Sequence, residues 1–356
     1  MARILLAGYL GSGNLGDDAM MLGFTHGLQD QDVTVMTGNP EETNRLYGFD
    51  VVARKDSKAV DAAIKQCDAL VFPGGSIFQD VTSVFSVKYY ADLVSDAKKA
   101  GKKVFLLGQG VGPLNSFFGK RMAASAFGAA DAISVRDPQS MQALKDIGVQ
   151  KNVRLTADSA FLLPQPHQGD DEQSFSVGNM KSIGIAPRPL DKKTDVSGLF
   201  AELCKLMYQS GTMPVLIEMD SQEDGPLIEE IHKKGGGRIP QIRKLGTPMN
   251  YQMRVRRMEA LIAMRLHAGV LGATVGIPAL MVSYDPKVTA FAKMMEMSPA
   301  LPMEGLTATR LFDAFTSFMK DRERNGKILE RKRAEMIKLA QGNLEIVREQ
   351  LRSASS

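Results

Sequence analysis

The feature that most constrains the fold of this chain is an alternation of short aliphatic runs with longer segments of helical periodicity. Each run ends in Gly, Pro or polar residues, and the runs occupy residues 4–7, 33–36, 69–72, 104–107 and 132–135, then 183–186, 214–218 and 279–283. Runs of this length between helical segments are typical of a parallel sheet whose strands are joined by crossover helices. The sequence therefore predicts an α/β fold with two such series.

A polar segment separates the two series. Residues 164–181 contain few large apolar side chains, and 356 residues are enough for about two domains. We therefore predict two doubly wound, Rossmann-like domains with a cleft between them. The expected boundaries are 1–165 for the N-terminal domain, 166–181 for the linker, 182–326 for the C-terminal domain and 327–356 for a helix that packs back across both.

The composition is that of a soluble enzyme. The chain is 44% hydrophobic and 24% charged, which is ordinary globular usage. A strand-like run begins at residue 3, so we expect no signal peptide, and no apolar run approaches the length of a bilayer span. The two cysteines, Cys67 and Cys204, lack the spacing of zinc ligands or of a disulfide framework. These features predict a cytoplasmic protein.

The positive charge is unevenly distributed. A net charge of +4, no Trp and 7 Tyr do not indicate nucleic-acid binding. Residues 320–338, however, contain eight basic and four acidic side chains. Such a stretch forms either an ordinary solvated helix face or a surface attracted to anionic membrane lipids.

An arginine and a histidine, Arg265 and His267, open a predicted helix of small and apolar residues. An unpaired buried arginine costs several kcal/mol, and a helix N-terminus attracts anions. These residues therefore predict an anionic substrate held by Arg265, with His267 beside it to move a proton. The alternative is that Arg265 forms a structural salt bridge and that His267 is an ordinary core histidine.

Polar side chains recur beside glycines where the predicted strands end. In open α/β sheets, ligands bind beyond the carboxyl ends of the strands, and glycine lets the backbone approach a ligand closely. Turns need glycine in any case, but that need does not explain the polar neighbours. These neighbours are Asn14, Gln79, Gln109, Arg136 and Arg188.

One glycine motif resembles a dinucleotide-binding site. Residues 11–16 match G-x-G-x-x-G after a strand and before a helix. Asp17 and Asp18 would lie in the first turn of that helix and repel a pyrophosphate, and the second strand ends near Asn39 instead of an acid. We therefore expect no dinucleotide here, and the carboxylates beside Asn14 suit the hydroxyls of a sugar.

Six motifs, spread in order over residues 3–295, resemble the polysaccharide pyruvyl transferase family, of the CsaB type. They are GYLGSGNLGD at 8–17, GGSIFQD at 74–80, GQGVGP at 108–113, VRD at 135–137, MRLH at 264–267 and SYDPK at 283–287. The resemblance implies a GT-B-like fold and the transfer of a pyruvyl group from phosphoenolpyruvate to two sugar hydroxyls, which forms a ketal and releases phosphate. In the CsaB branch the acceptor is N-acetylmannosamine in a lipid-linked precursor of the secondary cell wall polymer that anchors S-layer proteins.

The resemblance also implies roles for individual residues. Arginine pairs with carboxylate and phosphate in a planar, two-pronged geometry, and an imidazole can deliver a proton at neutral pH. The predicted catalytic residues are His267, Arg265 and Arg136, with His267 as the general acid. The predicted phosphoenolpyruvate-binding residues are Arg136, Arg188, Arg265, His267 and Lys287, and the predicted acceptor-binding residues are Asn14, Asp17, Asp18, Ser76, Gln79 and Gln109.

We expect neither a metal nor a cofactor, because no His, Asp or Glu cluster has ligand spacing. The expected partners are phosphoenolpyruvate and a lipid-linked amino sugar, which would place the enzyme at the inner face of the cytoplasmic membrane. Two alternatives remain. A nucleotide-sugar glycosyltransferase of the same fold would need an acidic ribose-binding residue late in the C-terminal domain. A non-catalytic sugar-binding protein of a wall-synthesis complex would release no phosphate from phosphoenolpyruvate.

Overall fold

The computed structural model describes residues 1–81, 83–166, 181–191 and 193–352. The chain divides into two compact units. The first unit contains Met1–Ser12, Asp17–Pro164 and the described residues from 335 onward, and the second contains Gly13–Gly16 and the described residues of 165–334. Of the predicted linker at 166–181, residues 167–180 lie outside the described residues.

The first unit is built on a sheet of eight parallel strands. Their order is β3-β2-β1-β4-β6-β7-β8, and β5 pairs with β6 beside this path. The strands are β1 (Arg3–Leu6), β2 (Asp32–Thr37), β3 (Asp50–Ala53), β4 (Ala69–Phe72), β5 (Gly75–Phe78), β6 (Lys103–Val111), β7 (Ala132–Val135) and β8 (Val153–Leu155). The connecting helices are α1 (Leu15–His26), α2 (Pro40–Tyr47), α3 (Ser57–Gln66), α4 (Val84–Lys99), α5 (Phe117–Ala129) and α6 (Pro138–Asp146), and a 3-10 turn covers Ser159–Leu162.

Both faces of this sheet are buried. Leu5 of β1 packs in one apolar cluster with Phe72, whereas its neighbours Ile4 and Leu6 pack in another cluster with Phe105. Side chains alternate between the two faces of a strand, so helices on both faces require apolar residues at every position. This is why the strands were visible in the sequence as continuous aliphatic runs.

The second unit is built on six parallel strands in the order β11-β10-β9-β12-β13-β14. These strands are β9 (Lys181–Ala186), β10 (Thr212–Ile217), β11 (Gln241–Ile242), β12 (Ala260–Ala263), β13 (Ala279–Ser283) and β14 (Leu301–Pro302). The helices of this unit are α7 (Val196–Gln209), α8 (Asp224–Lys234), α9 (Pro248–Val255), α10 (Leu266–Thr274), α11 (Pro286–Met295) and α12 (Ala308–Lys320). The last helix, α13 (Arg322–Arg352), contributes residues to both units.

The predicted α/β class with two parallel sheets is confirmed, and each of the eight predicted runs overlaps a strand. The strands that the sequence analysis did not identify are β3, β5, β8, β11, β12 and β14. Of these, β12 matters most, because it leads directly to Arg265. Its four buried residues continue into the apolar segment of α10, and an apolar run that merges with an apolar helix has no distinct period of its own.

The long C-terminal helix α13 begins at Arg322, five residues before the predicted start at 327. Its residues up to Ala334 belong to the second unit and the later ones to the first. In the first unit, the fully buried Asn343 donates from Nδ2 to the carbonyl of Ala157 at 3.0 Å. Its Oδ1 accepts from Ser134 Oγ at 2.6 Å. A buried amide with these partners fixes the helix at one position, because breaking the bonds would leave polar groups unsatisfied.

Much of the positive charge at residues 320–338 is paired with acids. Glu296 accepts from Arg331 Nη2 at 2.5 Å and from Lys332 Nζ at 3.0 Å, and Lys332 is only 6% exposed. Lys327 pairs with Glu323 at 3.0 Å. Nowhere in the described part of the chain does a helix combine the length and apolarity that a membrane span requires.

Candidate active site

The carboxyl edge of the second sheet gathers charged and polar side chains from four neighbouring strand–helix connections. Arg188 follows β9, Asp224 begins the helix after β10, Arg265 follows β12 and Tyr284 follows β13. Parallel strands end at one edge, so these four connections lie side by side, at the position where α/β proteins bind ligands.

Arg265 is held in place by two carboxylates. It is the N-cap residue of α10 and 8% exposed. Its Nε donates to Asp224 Oδ1 at 3.1 Å, its Nη2 donates to the same oxygen, and Nη2 also donates to Glu223 Oε2 at 2.9 Å. This is the salt bridge of the alternative interpretation. It also fixes the plane of the guanidinium, as a preorganised anion-binding group requires.

Asp224 is itself locked into the turn after β10. It has no solvent exposure, and its Oδ2 accepts from the amides of Met219 at 3.1 Å and Asp220 at 3.0 Å. Burial raises the pKa of Asp224 above its usual range, although Arg265 and the two amides act in the opposite direction. The acid therefore serves as a rigid support for Arg265.

His267 lies in the first turn of α10 and is partly exposed. Gly16 lies directly against its ring, since a Cβ placed on Gly16 would be 2.0 Å from His267 Nδ1. The last glycine of the motif at residues 11–16 thus lets the backbone approach an imidazole. In a dinucleotide-binding protein the same motif would let it approach a pyrophosphate.

The segment Gly13–Gly16 lies along the end of β10. The carbonyl of Gly13 accepts from the amide of Ser221 at 3.0 Å, and the amide of Leu15 donates to the carbonyl of Met219 at 3.0 Å. Asn14 Nδ2 donates to Asp220 Oδ2 at 3.2 Å. These bonds explain why Asn14, expected in the N-terminal domain, groups with the second unit.

Two further cations lie at this edge. The guanidinium of Arg188 is 4.9 Å from the centre of the Tyr284 ring and donates to its hydroxyl. Burial raises the pKa of Tyr284, although the charge of Arg188 acts in the opposite direction. Lys287 lies in the first turn of α11, with its Nζ 3.4 Å from Asp285 Oδ2.

In the first unit, Arg136 is similarly buried at 5% exposure. It follows β7, and its Nη1 donates to Asp158 Oδ2 at 2.7 Å while its Nη2 donates to Ser76 Oγ at 2.8 Å. A Cβ on Gly110 would be 2.7 Å from Arg136 Nη2, so the guanidinium packs directly against the backbone of Gly110. Ser76, predicted to contact the acceptor, therefore also orients Arg136.

Asp18 stabilises the glycine-containing turn at residues 11–16. It is 5% exposed and accepts from the amide of Gly11 at 2.8 Å and from the hydroxyl of Tyr47 at 3.2 Å. Burial raises the pKa of Asp18 to about 7, although the Gly11 amide acts in the opposite direction. Its neighbour Asp17 is more exposed, and its Oδ1 would be 3.5 Å from a Cβ on Gly75.

The two predicted glutamines differ in accessibility. Gln79 is partly exposed, and its Oε1 accepts from the amide of Val81 at 3.0 Å. Gln109 is fully buried, and its Nε2 donates to the carbonyls of Leu107 at 2.9 Å and Phe72 at 3.3 Å. Gln109 therefore has an internal structural role, and Gln79 is the better placed of the two to contact a ligand.

The predicted residues thus fall into two groups, one in each unit. The second unit contains Asn14, Arg188, Arg265, His267 and Lys287, and the first contains Asp17, Asp18, Ser76, Gln79, Gln109 and Arg136. The sequence analysis missed the acids Asp220, Glu223 and Asp224, and it did not select Tyr284. The signal was present, because the three acids follow the predicted strand at 214–218 and so belong at the same edge.

Comparison with known proteins identifies the family. The sequence profile described as Polysaccharide pyruvyl transferase matches residues 14–286. The chain belongs to the polysaccharide pyruvyl transferase family. Among curated relatives, the amylovoran biosynthesis protein AmsJ of Erwinia amylovora is 22% identical over 256 residues, which are 65% of this chain and 60% of AmsJ. The aligned part thus spans about three fifths of that relative.

Solved structures confirm the GT-B-like fold of this family member. A UDP-N-acetylglucosamine 2-epimerase described as putative, from Listeria monocytogenes, matches with a TM-score of 0.65 and 14% identity, over 92% of this chain and 90% of that one. HepE of Anabaena, in complex with UDP and glucose, matches with a TM-score of 0.66 and 11% identity, over 99% and 100%. The UDP-GlcNAc 2-epimerase of Neisseria meningitidis, bound to UDP-GlcNAc, matches with a TM-score of 0.63 and 12% identity, over 98% of this chain and 100% of that one. At these identities the likeness shows the fold alone.

Proposed function

We propose that this protein transfers a pyruvyl group to a sugar in polysaccharide biosynthesis. The observation that supports this proposal is the pairing, within the matched part of the chain, of a rigid Arg265 with a partly exposed His267 at the start of α10. The first provides an anion-binding group and the second a proton donor, and both lie at the ligand-binding edge of the sheet.

Phosphoenolpyruvate is the donor that we propose for this site. It contains a carboxylate and a phosphate, and the positive end of α10 favours an anion beside Arg265. Arg188 and Lys287 follow neighbouring strands and supply further donors. The acids Glu223 and Asp224 balance part of this charge, so binding depends on directed hydrogen bonds more than on net attraction.

In the proposed reaction, His267 donates its proton to the methylene carbon of the donor. The adjacent carbon becomes an oxocarbenium-like electrophile, and a sugar hydroxyl attacks it and returns its proton to the imidazole. The bond to the phosphate oxygen then breaks, and the second hydroxyl closes the ketal as its proton leaves with phosphate. Atoms and charge balance without a metal or a redox cofactor, and independence from both stays a prediction.

The acceptor that we propose is an amino sugar, with N-acetylmannosamine on a lipid-linked wall-polymer precursor as the specific candidate. This choice rests on the CsaB-type motifs of the sequence. Asp17, Ser76 and Gln79 of the first unit are partly exposed and have oxygen or amide groups suited to hydroxyls. Arg136 stays a predicted contributor to donor binding.

Mass spectrometry of the acceptor tests the function directly. The protein is incubated with phosphoenolpyruvate and the lipid-linked amino sugar, and released phosphate is measured in parallel. An acceptor that gains the mass of a pyruvyl ketal, with one phosphate released per product, supports the proposal. Transfer of a hexose from a UDP-sugar, with no reaction of phosphoenolpyruvate, would favour a glycosyltransferase instead.

A further inference from the structure

Four large apolar side chains stand exposed near the N-terminal ends of two neighbouring helices of the first unit. Phe85 in the first turn of α4 is 76% exposed, and Phe117 and Phe118 at the start of α5 are 69% and 70% exposed. Val81, just before α4, is 61% exposed. Phe85 lines a cavity with Tyr9, Arg54 and Ile64 on the α3 side of α4. We therefore name only Val81, Phe117 and Phe118 the aromatic patch. Exposed apolar clusters mark interaction surfaces, because a soluble protein gains nothing by keeping them in water.

Hydrogen bonds to Asp80 hold together the two segments that carry the patch. Asp80 Oδ1 accepts from the amide of Asn115 at 2.7 Å, and its Oδ2 accepts from the amide and hydroxyl of Ser116 at 2.8 Å and 2.6 Å. Asp80 precedes Val81 and Ser116 precedes Phe117, so these bonds join the two halves of the patch. The helices α4 and α5 also pack against each other. Exposure is therefore a property of the folded state.

Two of the aromatic rings contact each other. Those of Phe117 and Phe118 lie 5.8 Å apart in a near-perpendicular arrangement. Gly119 follows them, and a Cβ there would be 2.5 Å from Asp80 Oδ2. The hydrogen bonds between Asp80 and Ser116 therefore require glycine at position 119, directly after the two rings.

Basic side chains flank the rings. Lys120 and Arg121 are exposed, and the first turn of α5 contains no acid. Cations near a helix N-terminus oppose the helix dipole, so they do not stabilise α5. Within the described ranges of the chain, neither side chain forms an ion pair. Aromatic rings beside unpaired cations are the composition of a surface that lies at a lipid interface.

We propose that the aromatic patch docks on an anionic bilayer, with the phenylalanine rings at the headgroup boundary and with Lys120 and Arg121 on lipid phosphates. The charge complementarity selects lipid as the occupant. The basic stretch at 320–338 suits this role less, since Arg331 and Lys332 are engaged by Glu296. The inference is independent of the proposed reaction, because lipid binding is measured without substrate.

Co-sedimentation of the full chain with vesicles tests the inference. We expect binding to vesicles of phosphatidylglycerol mixed with phosphatidylcholine, weaker binding to phosphatidylcholine alone, and release from the anionic vesicles at high salt. The combination of Phe117→Ser with Phe118→Ser should lower the partition coefficient at least about tenfold, and Lys120→Gln with Arg121→Gln should abolish the preference for anionic lipid.

Matched controls replace similar side chains elsewhere. Leu155→Ser changes another exposed apolar residue, and Arg324→Gln with Lys327→Gln removes two exposed charges from α13. Both should bind vesicles like the wild type. Equal loss in patch and control variants, or no vesicle binding by the wild type, overturns the inference. So does a wild-type dimer that the two serines convert to a monomer without changing vesicle binding, because the patch would then be a self-association face.

Discussion

Gly16 contacts the imidazole of His267 so closely that a Cβ on Gly16 would be 2.0 Å from Nδ1. The two residues are far apart in the chain and belong to the same unit. A glycine motif that resembles a phosphate-binding loop thus sets the position of the proposed general acid.

Gly16→Ala should displace the His267 ring, because the two cannot occupy the same space. A displacement of about 1 Å at a catalytic group costs on the order of 10²-fold in turnover, and we expect a loss of this size in steady-state phosphate release. Gly326→Ala is the matched control, since a Cβ there meets nothing within 4 Å. It should retain full activity. Wild-type turnover in Gly16→Ala would contradict the role of this contact.

His267→Ala should lower turnover about 10²- to 10⁴-fold, the range for loss of a general acid. The circular dichroism spectrum and the affinity for phosphoenolpyruvate should change little. The control is His26→Ala, which removes an exposed histidine at the end of α1. If His267→Ala turned over normally, His267 would be an ordinary structural histidine.

Arg265→Lys keeps the charge and loses the planar fork. In the wild type, Arg265 donates from Nε and Nη2 to Asp224 and from Nη2 to Glu223. A lysine ammonium cannot make all of these hydrogen bonds at once. We expect a loss of about 1–3 kcal/mol in the free energy of unfolding and at least tenfold weaker donor binding by calorimetry.

Glu223→Gln is the matched control for Arg265→Lys. Its carboxylate is half exposed, so its pairing with Arg265 should contribute less than about 1 kcal/mol to stability. Donor binding should persist in Glu223→Gln. Unchanged donor affinity in Arg265→Lys would mean that Arg265 acts only as a structural partner of Asp224.

Arg136 and Asp158 form a buried pair in the first unit. Arg136→Ala leaves a buried carboxylate without its partner and should cost about 3–5 kcal/mol in the free energy of unfolding. Adding Asp158→Asn removes the uncompensated charge and should restore part of that stability without restoring activity. Urea denaturation and phosphate release measure the two effects separately. Recovery of activity in the double variant would show that Arg136 has no part in donor binding.

Stability should depend on pH through Asp18. Its pKa of about 7 in the folded protein lies above the ordinary aspartate value of 3.8, so between these values the folded protein retains a proton that the unfolded chain has lost. The free energy of unfolding therefore falls as the pH rises from about 4 to about 7, by at most about 4 kcal/mol. The free energy of unfolding, measured by urea denaturation at several pH values in this range, should depend less on pH in Asp18→Asn than in the wild type. The exposed Asp30→Asn should leave the wild-type slope unchanged, and a slope shared by all three proteins would exclude Asp18 as its source.

The strand runs were predictable because both faces of each sheet are covered, which makes every strand position apolar. The short outer strands β11 and β14 have two residues each and lack such a run. The segment Gly13–Gly16 was assigned to the N-terminal domain, because chain order alone places it there. Its backbone bonds to Met219 and Ser221 are decided by folding.

The sequence by itself determined the α/β class, the glycine turns at the strand ends and the position of Arg265 and His267 two residues apart at the start of one helix. These are local properties, set by side-chain period and by neighbours a few residues apart. Only the tertiary structure decided that Asp224 supports Arg265 and that Gly16 contacts His267. Such contacts depend on the order in which strands join the sheet, because that order determines which connections become neighbours at the carboxyl edge.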